Sequence, residues 1–184
     1  MNAPTRSCLY DERQLEPVLD SMAARLTGLL ASDEDLVLVG IRRRGVPLAA
    51  MLAEHLARRG LLRPALRLEL VVKRYADDLS LLHPQTRLSE DTAPTVADLA
   101  GRCAIVVDDV LYRGHSLLRV VQHLVGCGAA RVISTVLVDR GVSVLPIHAD
   151  VAGLRLDVPT GSIVEVHVPP YEADFSIELV RPGD

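Results

Sequence analysis

Residues 104–119 read AIVVDDVLYRGHSLLR, and two features of this stretch carry chemistry. Asp108 and Asp109 stand side by side after the apolar run AIVV. Adjacent carboxylates repel, so the pair calls for a compensating partner. A metal ion serves, and so does a polyhydroxyl ligand whose hydroxyls donate to both. Behind the pair, Tyr112 to Ser116 form a short loop containing Gly114 that leads into a helical pattern. A helix start offers free backbone N–H groups and the positive end of the helix dipole, which suits a phosphate. Carboxylates for a sugar's hydroxyls, followed by a helix start for its phosphate, describe a pocket for a ribose 5-phosphate. The competing reading is a helix cap beside a solvated surface charge; it serves for one Asp better than for two.

Positioning such a site takes a sheet whose strands end beside helix starts, because parallel sheets place ligand sites at the carboxyl ends of their strands. LVLVGI (36–41), CAIVVDD (103–109) and RVISTVLVD (131–139) contain continuous apolar runs, the pattern of strands buried on both faces. LRLELVV (66–72) alternates before turning apolar, which places it near an edge. Leu15, Leu19, Met22, Leu26 and Leu29 recur at helical steps, giving an amphipathic helix over 11–31. Asp11 can cap it with Gln14 three residues on, and Pro17 lies near the tolerated first turn. Further helices are expected from Pro47 to Arg59, stopped by Gly60, and over 116–126, ended by Gly126 and Gly128. SIVEVHV (162–168) and FSIELV (175–180) read as short strands of an appended β region. Residues 73–94 lose their periodicity and contain two prolines, the pattern of a functional lid or a disordered segment. The element order is an α/β plan with a parallel sheet, without internal repeat or linker, and the expectation is one domain over 1–184.

Composition narrows the classes. The chain has 184 residues, 49% of them hydrophobic, with four Tyr, one Phe and no Trp, so its core is aliphatic. No apolar run approaches the roughly 18 residues of a membrane span. The amino terminus lacks the features of a signal peptide. Cys8, Cys103 and Cys127 give neither metal spacing nor an even disulfide set. A cytoplasmic protein away from membranes is expected. A net charge of −4 does not favour nucleic-acid binding by the total.

The stretch VVDDVLYRGHS resembles the phosphoribosyl-pyrophosphate motif of the type I phosphoribosyltransferases. With Tyr112, where purine-salvage members commonly carry Asp, it is similar to the bacterial pyrimidine-operon attenuator proteins, which also have uracil phosphoribosyltransferase activity. VGIRRRGVPLA (39–49) resembles that family's pyrophosphate-side loop, YADDLS (75–80) its lid, LVDRGVSVLPIHAD (137–150) its nucleobase hood and VPTG (158–161) a further segment near the base. The resemblance implies a type I phosphoribosyltransferase fold: a central, mostly parallel sheet flanked by helices, a small C-terminal β hood and a flexible lid loop. It implies that Asp108 and Asp109 bind the ribose hydroxyls. Val110, Leu111 and the loop of Tyr112, Arg113, Gly114, His115 and Ser116 would line the phosphate site, chiefly through backbone. Arg43 and Arg44 would hold the pyrophosphate, which guanidinium binds bidentately. Arg87 in the lid would close over the leaving group. Arg140 would position base or ribose, or else form a structural ion pair. Mg²⁺ would arrive with phosphoribosyl pyrophosphate, with no metal site of the protein's own, and family members self-associate, which implies a homo-oligomer.

The implied reaction is uracil phosphoribosyl transfer, yielding UMP and pyrophosphate in pyrimidine salvage. The alternatives are an RNA-binding transcriptional attenuator and a catalytically weak sensor of phosphoribosyl pyrophosphate or nucleotides. Three departures bear on the choice. Arg113-Gly114-His115-Ser116 stands where the family usually writes Thr-Gly-Arg-Thr. Ala76 stands where an Arg usually precedes the lid's acidic pair. Val142, Ser143, Val144 and Leu154 occupy places where the RNA-binding members carry basic residues, so RNA is not expected as a partner.

Overall fold

A computed structural model describes residues 3–31, 35–61, 66–70 and 99–183, with residues 66 and 67 described by backbone alone. The expected lid, with Ala76 and Arg87, lies outside the described residues. The elements run β1 (Thr5–Tyr10), α1 (Glu12–Leu29), β2 (Leu36–Ile41), α2 (Gly45–Arg58), β3 (Leu66–Leu70), β4 (Cys103–Leu111), α3 (His115–Gly126), β5 (Arg131–Asp139), β6 (Val151–Arg155), β7 (Ile163–His167) and β8 (Ser176–Arg181).

Five strands form the central sheet in the order β3-β2-β4-β5-β6, and every neighbouring pair is parallel. The apolar runs are buried on both faces, as their composition requires. On one face Leu38, Ile105 and Ile133 pack with Leu15 and Leu19 of α1 and Leu48 and Leu52 of α2. On the other, Val39, Val106 and Val136 pack with Leu117, Val120 and Leu124 of α3. Period-two alternation thus divides each run between two aliphatic layers.

The second sheet is antiparallel, in the order β1-β8-β7. The expected hood is therefore not C-terminal alone, because its edge strand comes from residues 5–10. Val166, Phe175 and Ile177 turn its inner face onto the α1–α2 side of the core. Two further details differ from expectation. Pro17 lies inside α1, whose first residue is Glu12, so it sits in the second turn. Helix α2 begins at Gly45, ahead of Pro47, which falls in its first turn, where a missing N–H costs no hydrogen bond.

Candidate active site

Strand order sets where a ligand can enter. From β2 the chain passes through α2 to β3 on one side, whereas β4, β5 and β6 succeed one another on the other side. The crevice at such a reversal lies at the strands' carboxyl ends, between β2 and β4. Register shows it opening: the last pair of β2 with β4 is Gly40 with Val107, yet β4 continues beside β5 as far as Leu111 with Asp139. Asp108 and Asp109 are the first residues of β4 beyond its β2 partner.

Glycine permits the close approach of α2 to this point. A Cβ on Gly45 would fall against the carbonyl oxygen of Val107 and lie 3.3 Å from Cα of Asp108. A Cβ on Gly40 would meet Cα of Val46 at 2.6 Å. The first turn of α2 therefore rests on the backbone that carries the acidic pair. At α3 the cap is Gly114 in the left-handed conformation, φ +86°, and neither α2 nor α3 has a side-chain cap at its start. Helix α1, by contrast, has a complete capping box, with the Gln14 N–H donating to the Asp11 carboxylate at 3.0 Å and the Asp11 N–H donating to Oε1 of Gln14 at 3.0 Å. The two helix starts that flank the crevice are the two whose N–H groups no side chain covers.

Within the crevice Asp108 is 5% exposed and its Oδ1 accepts the N–H of Asp109 at 3.0 Å. Oδ1 of Asp109 accepts the Val110 N–H at 2.9 Å, and its Oδ2 lies 3.8 Å from Nη1 of Arg44. Arg44 also donates from Nε (3.1 Å) and Nη2 (2.6 Å) to Oε1 of Glu172. The Glu172 hydrogen bond raises the pKa of Arg44 above its ordinary value. The hydrogen bond from Arg44 likewise holds the Glu172 carboxyl below the usual range. The Arg43 guanidinium stacks over Tyr171, 4.9 Å from the ring centroid.

On the far side, Arg140 is 8% exposed, its N–H donates to the Leu111 carbonyl at 3.0 Å, and its guanidinium lies 5.3 Å from the Tyr112 ring centroid. Its Nε is buried without a hydrogen-bond partner, and among the described residues Arg140 forms no ion pair. The Arg113 guanidinium covers the same Tyr112 ring at 5.5 Å. The Arg113 carbonyl accepts the Val144 N–H at 3.3 Å, and a Cβ on Gly114 would strike Cγ2 of Ile147 at 2.5 Å. The 112–116 loop is thus fastened to residues 143–147.

The structure brings Asp108, Asp109 and Arg44 together at one crevice, with Arg43 beside Arg44 and the 112–116 loop following the strand that bears the acids. Tyr112, Arg113 and His115 are exposed and Ser116 half-buried. Leu111 is a core side chain at 4% exposure, so only its backbone can face a ligand. Val110 is half-buried against the α1–α2 side of the core. Sequence reasoning missed Tyr171 and Glu172: Glu172 meets Arg44 across 128 positions, and the polar run PPYEAD between two short strands gives no local sign of that partner. It also missed the outward cluster of Glu165, His167 and Glu178 on the antiparallel sheet, whose ligand atoms lie within 4.8 Å of one another. Arg6 of β1 reaches both carboxylates there, at 2.6 and 3.0 Å.

Among the described residues no helix is long and apolar enough to cross a membrane. The chain is 39% identical over 153 residues to a bifunctional protein PyrR of Streptococcus equi subsp. equi, covering 82% of this chain and 83% of that protein. A bifunctional protein PyrR of Deinococcus radiodurans is 33% identical over 186 residues, covering 100% of this chain and 99% of its own. The hypoxanthine phosphoribosyltransferase of Trypanosoma cruzi, solved with its product IMP, superposes with a TM-score of 0.71 at 19% identity over 95% of this chain and 94% of that one. That likeness establishes the type I phosphoribosyltransferase fold. The phosphoribosyl transferase domain family matches residues 6–174, and the chain belongs to that family.

Proposed function

We propose that the chain transfers ribose 5-phosphate from phosphoribosyl pyrophosphate to uracil. The observation that carries this reading is the placement of Asp108 and Asp109 between two helix starts without side-chain caps, with Arg44 3.8 Å from Asp109. The carboxylates accept from the ribose hydroxyls. The first turn of α3 and Ser116 hold the 5-phosphate, and Arg43 and Arg44 hold the pyrophosphate. Tyr112 is exposed, with the guanidinium groups of Arg113 and Arg140 over its ring, and this cluster stands where the base would enter. Pyrophosphate departs with the electron pair of its bond to C1, positive charge develops on the ribose, and the uracil nitrogen forms the new bond to C1 as its proton passes to solvent. The acidic pair lies where such charge is stabilised, and the remaining work is positioning. No protein nucleophile is needed.

The donor set fits Mg²⁺, a hard cation that takes one or two carboxylates together with substrate phosphates. Asp108 and Asp109 would lie nearest it, and bound with phosphoribosyl pyrophosphate it would neutralise the charge of the leaving group. One domain over 1–184, acting as a homo-oligomer in the cytoplasm, completes the proposal. Pyrophosphate release from phosphoribosyl pyrophosphate, measured with a panel of bases and Mg²⁺, tests it. Release is expected with uracil; release with purines only, or with no base, refutes it.

A second reading, RNA-binding regulation, is favoured by the word bifunctional in the relatives' name, and the expectation that RNA is no partner draws no support from them. Arg58 and Arg59 are engaged with Glu16 and Asp20, and Arg131 donates to the Leu29 carbonyl. The side chains of Arg63 and Arg67 lie outside the described residues. Val142 and Val144 are 41% and 64% exposed where a phosphate contact needs a cation. A mobility-shift titration with a pyrimidine-operon leader transcript decides: binding that survives moderate salt assigns both roles, and its absence leaves the transferase alone.

A further inference from the structure

The loop between β7 and β8 has no part in the proposed reaction, yet it makes a 2.6 Å polar contact to the crevice. Glu172 is fixed twice. Its Oε2 accepts the N–H of Val168 at 2.9 Å, and its own N–H donates to the Val168 carbonyl at 3.3 Å. The Tyr171 N–H donates to that carbonyl as well, at 3.1 Å. A carboxylate tied to its own loop cannot follow a wandering arginine, so Arg44 must come to it. Arg44 does so with its Nε and Nη2, at 3.1 and 2.6 Å.

A guanidinium has five N–H donors in a rigid plane. Glu172 takes one from Nε and one from Nη2, leaving the second N–H of Nη2 and the two of Nη1, of which one from each nitrogen shares the terminal edge; Nη1 lies 3.8 Å from Asp109. The contact therefore fixes the plane of Arg44 while leaving its outer edge for an anion. Tyr171 steadies Arg43 from the same loop by stacking under its guanidinium at 4.9 Å.

On the reading that Arg43 and Arg44 face pyrophosphate, we infer that Glu172 is a positioning residue for this reaction: it orients Arg44 toward the pyrophosphate from a loop of the antiparallel sheet. A competing role, a carboxylate that occupies Arg44 and must be expelled by substrate, predicts the opposite sign. Orientation is the better account, because Glu172 uses only two of the five donors and the carboxylate is itself held by backbone.

The test compares wild type, Glu172→Ala and Glu172→Gln by calorimetric titration with inorganic pyrophosphate and Mg²⁺, and by steady-state kinetics. Glu172→Ala is expected to bind pyrophosphate about tenfold more weakly, the size of one charge-assisted hydrogen bond in a part-exposed setting. Its KM for phosphoribosyl pyrophosphate should rise about tenfold, with kcat and the KM for the base level, since uniform binding is lost. Glu172→Gln keeps an oxygen acceptor for Nε and Nη2, nearly preserves side-chain shape, and should recover part of the loss. A merely structural role would lower the melting temperature without splitting the two KM values. Unchanged or tighter pyrophosphate binding in folded Glu172→Ala and Glu172→Gln overturns the inference. Wild type that binds neither pyrophosphate nor phosphoribosyl pyrophosphate overturns it together with the reading of the site, and measuring wild type first separates the two failures.

Discussion

Replacing Gly45 by Ala sets two effects of known size against each other. Ala is the better helix former by up to about 1 kcal/mol in a helix interior, and by less in a first turn. Against this, the new Cβ falls on the Val107 carbonyl oxygen and lies 3.3 Å from both the Val107 carbonyl carbon and Cα of Asp108. All three neighbours are backbone atoms of a buried central strand, so none can swing aside, and α2 must lift. Overpacking of this kind costs roughly 1–3 kcal/mol. The clash wins, and a net loss of about 1–2 kcal/mol lowers the melting temperature by roughly 2–8 °C in a chain of this size. Lifting α2 also carries Arg43 and Arg44 away from the acidic pair, and a displacement near 1 Å at a reacting centre can cost on the order of a hundredfold. Phosphoribosyl-pyrophosphate affinity should therefore fall by tenfold or more, roughly, beyond what the stability loss explains. The control is Gly28→Ala near the end of α1, where nothing lies within 4 Å; it should stabilise by about 0.5 kcal/mol. Urea unfolding and calorimetric titration read both quantities. A Gly45→Ala protein as stable as wild type, with unchanged affinity, refutes the reasoning.

Asp108→Asn combined with Asp109→Asn should abolish phosphoribosyl-pyrophosphate binding while the fold survives, as circular dichroism and calorimetric titration will show; retained affinity in a folded protein counts against the ribose role. Arg113→Thr should leave that affinity level, because the Arg113 guanidinium lies over the Tyr112 ring and only its backbone joins the loop; a large loss would make Arg113 a direct ligand. The Arg44–Glu172 pair should stabilise the fold at neutral pH by roughly 0.2–1 kcal/mol, the range of part-exposed pairs. Since the folded Glu172 carboxyl sits below its ordinary value, that contribution is complete above the ordinary value and lost as pH falls through the lower one. Melting curves of wild type and Glu172→Gln should accordingly converge toward acid, and a constant gap down to the lowest pH studied argues against the pair.

Elements with strong internal patterns were legible in the chain. The apolar runs of β2, β4 and β5, the helical stripe of α1 and the Asp11–Gln14 box all stand where their residues place them. Strands β1 and β6 were not legible. TRSCLY has no sustained alternation, and VAGLR is five residues with a central Gly, so each is a strand only because β8 and β5 offer it a ladder. Gly153 is there because a Cβ would meet Sδ of Met22 at 2.7 Å, a contact with α1 that no local window contains. The acidic pair and the 112–116 loop that follows it were readable as a candidate site because they are contiguous. The partner of Arg44 was not, since it depends on a loop from the other sheet.

The pairing of β1 with β8 puts Thr5 opposite Arg181, and it dictates an order of assembly. All five strands of the central sheet lie within residues 36–155, so they can pair before the last strands are made. Strand β1 must wait, unpaired, until residues 176–181 have been made. Its exposed Arg6 and Ser7 make the waiting edge a poor template for aggregation. The loop carrying Tyr171 and Glu172 lies between β7 and β8, so it forms with the pairing of these two late strands. A partly made chain can thus hold both carboxylates of the crevice in place while Arg44 still lacks its contact with Glu172, which is made only once β7 and β8 have paired.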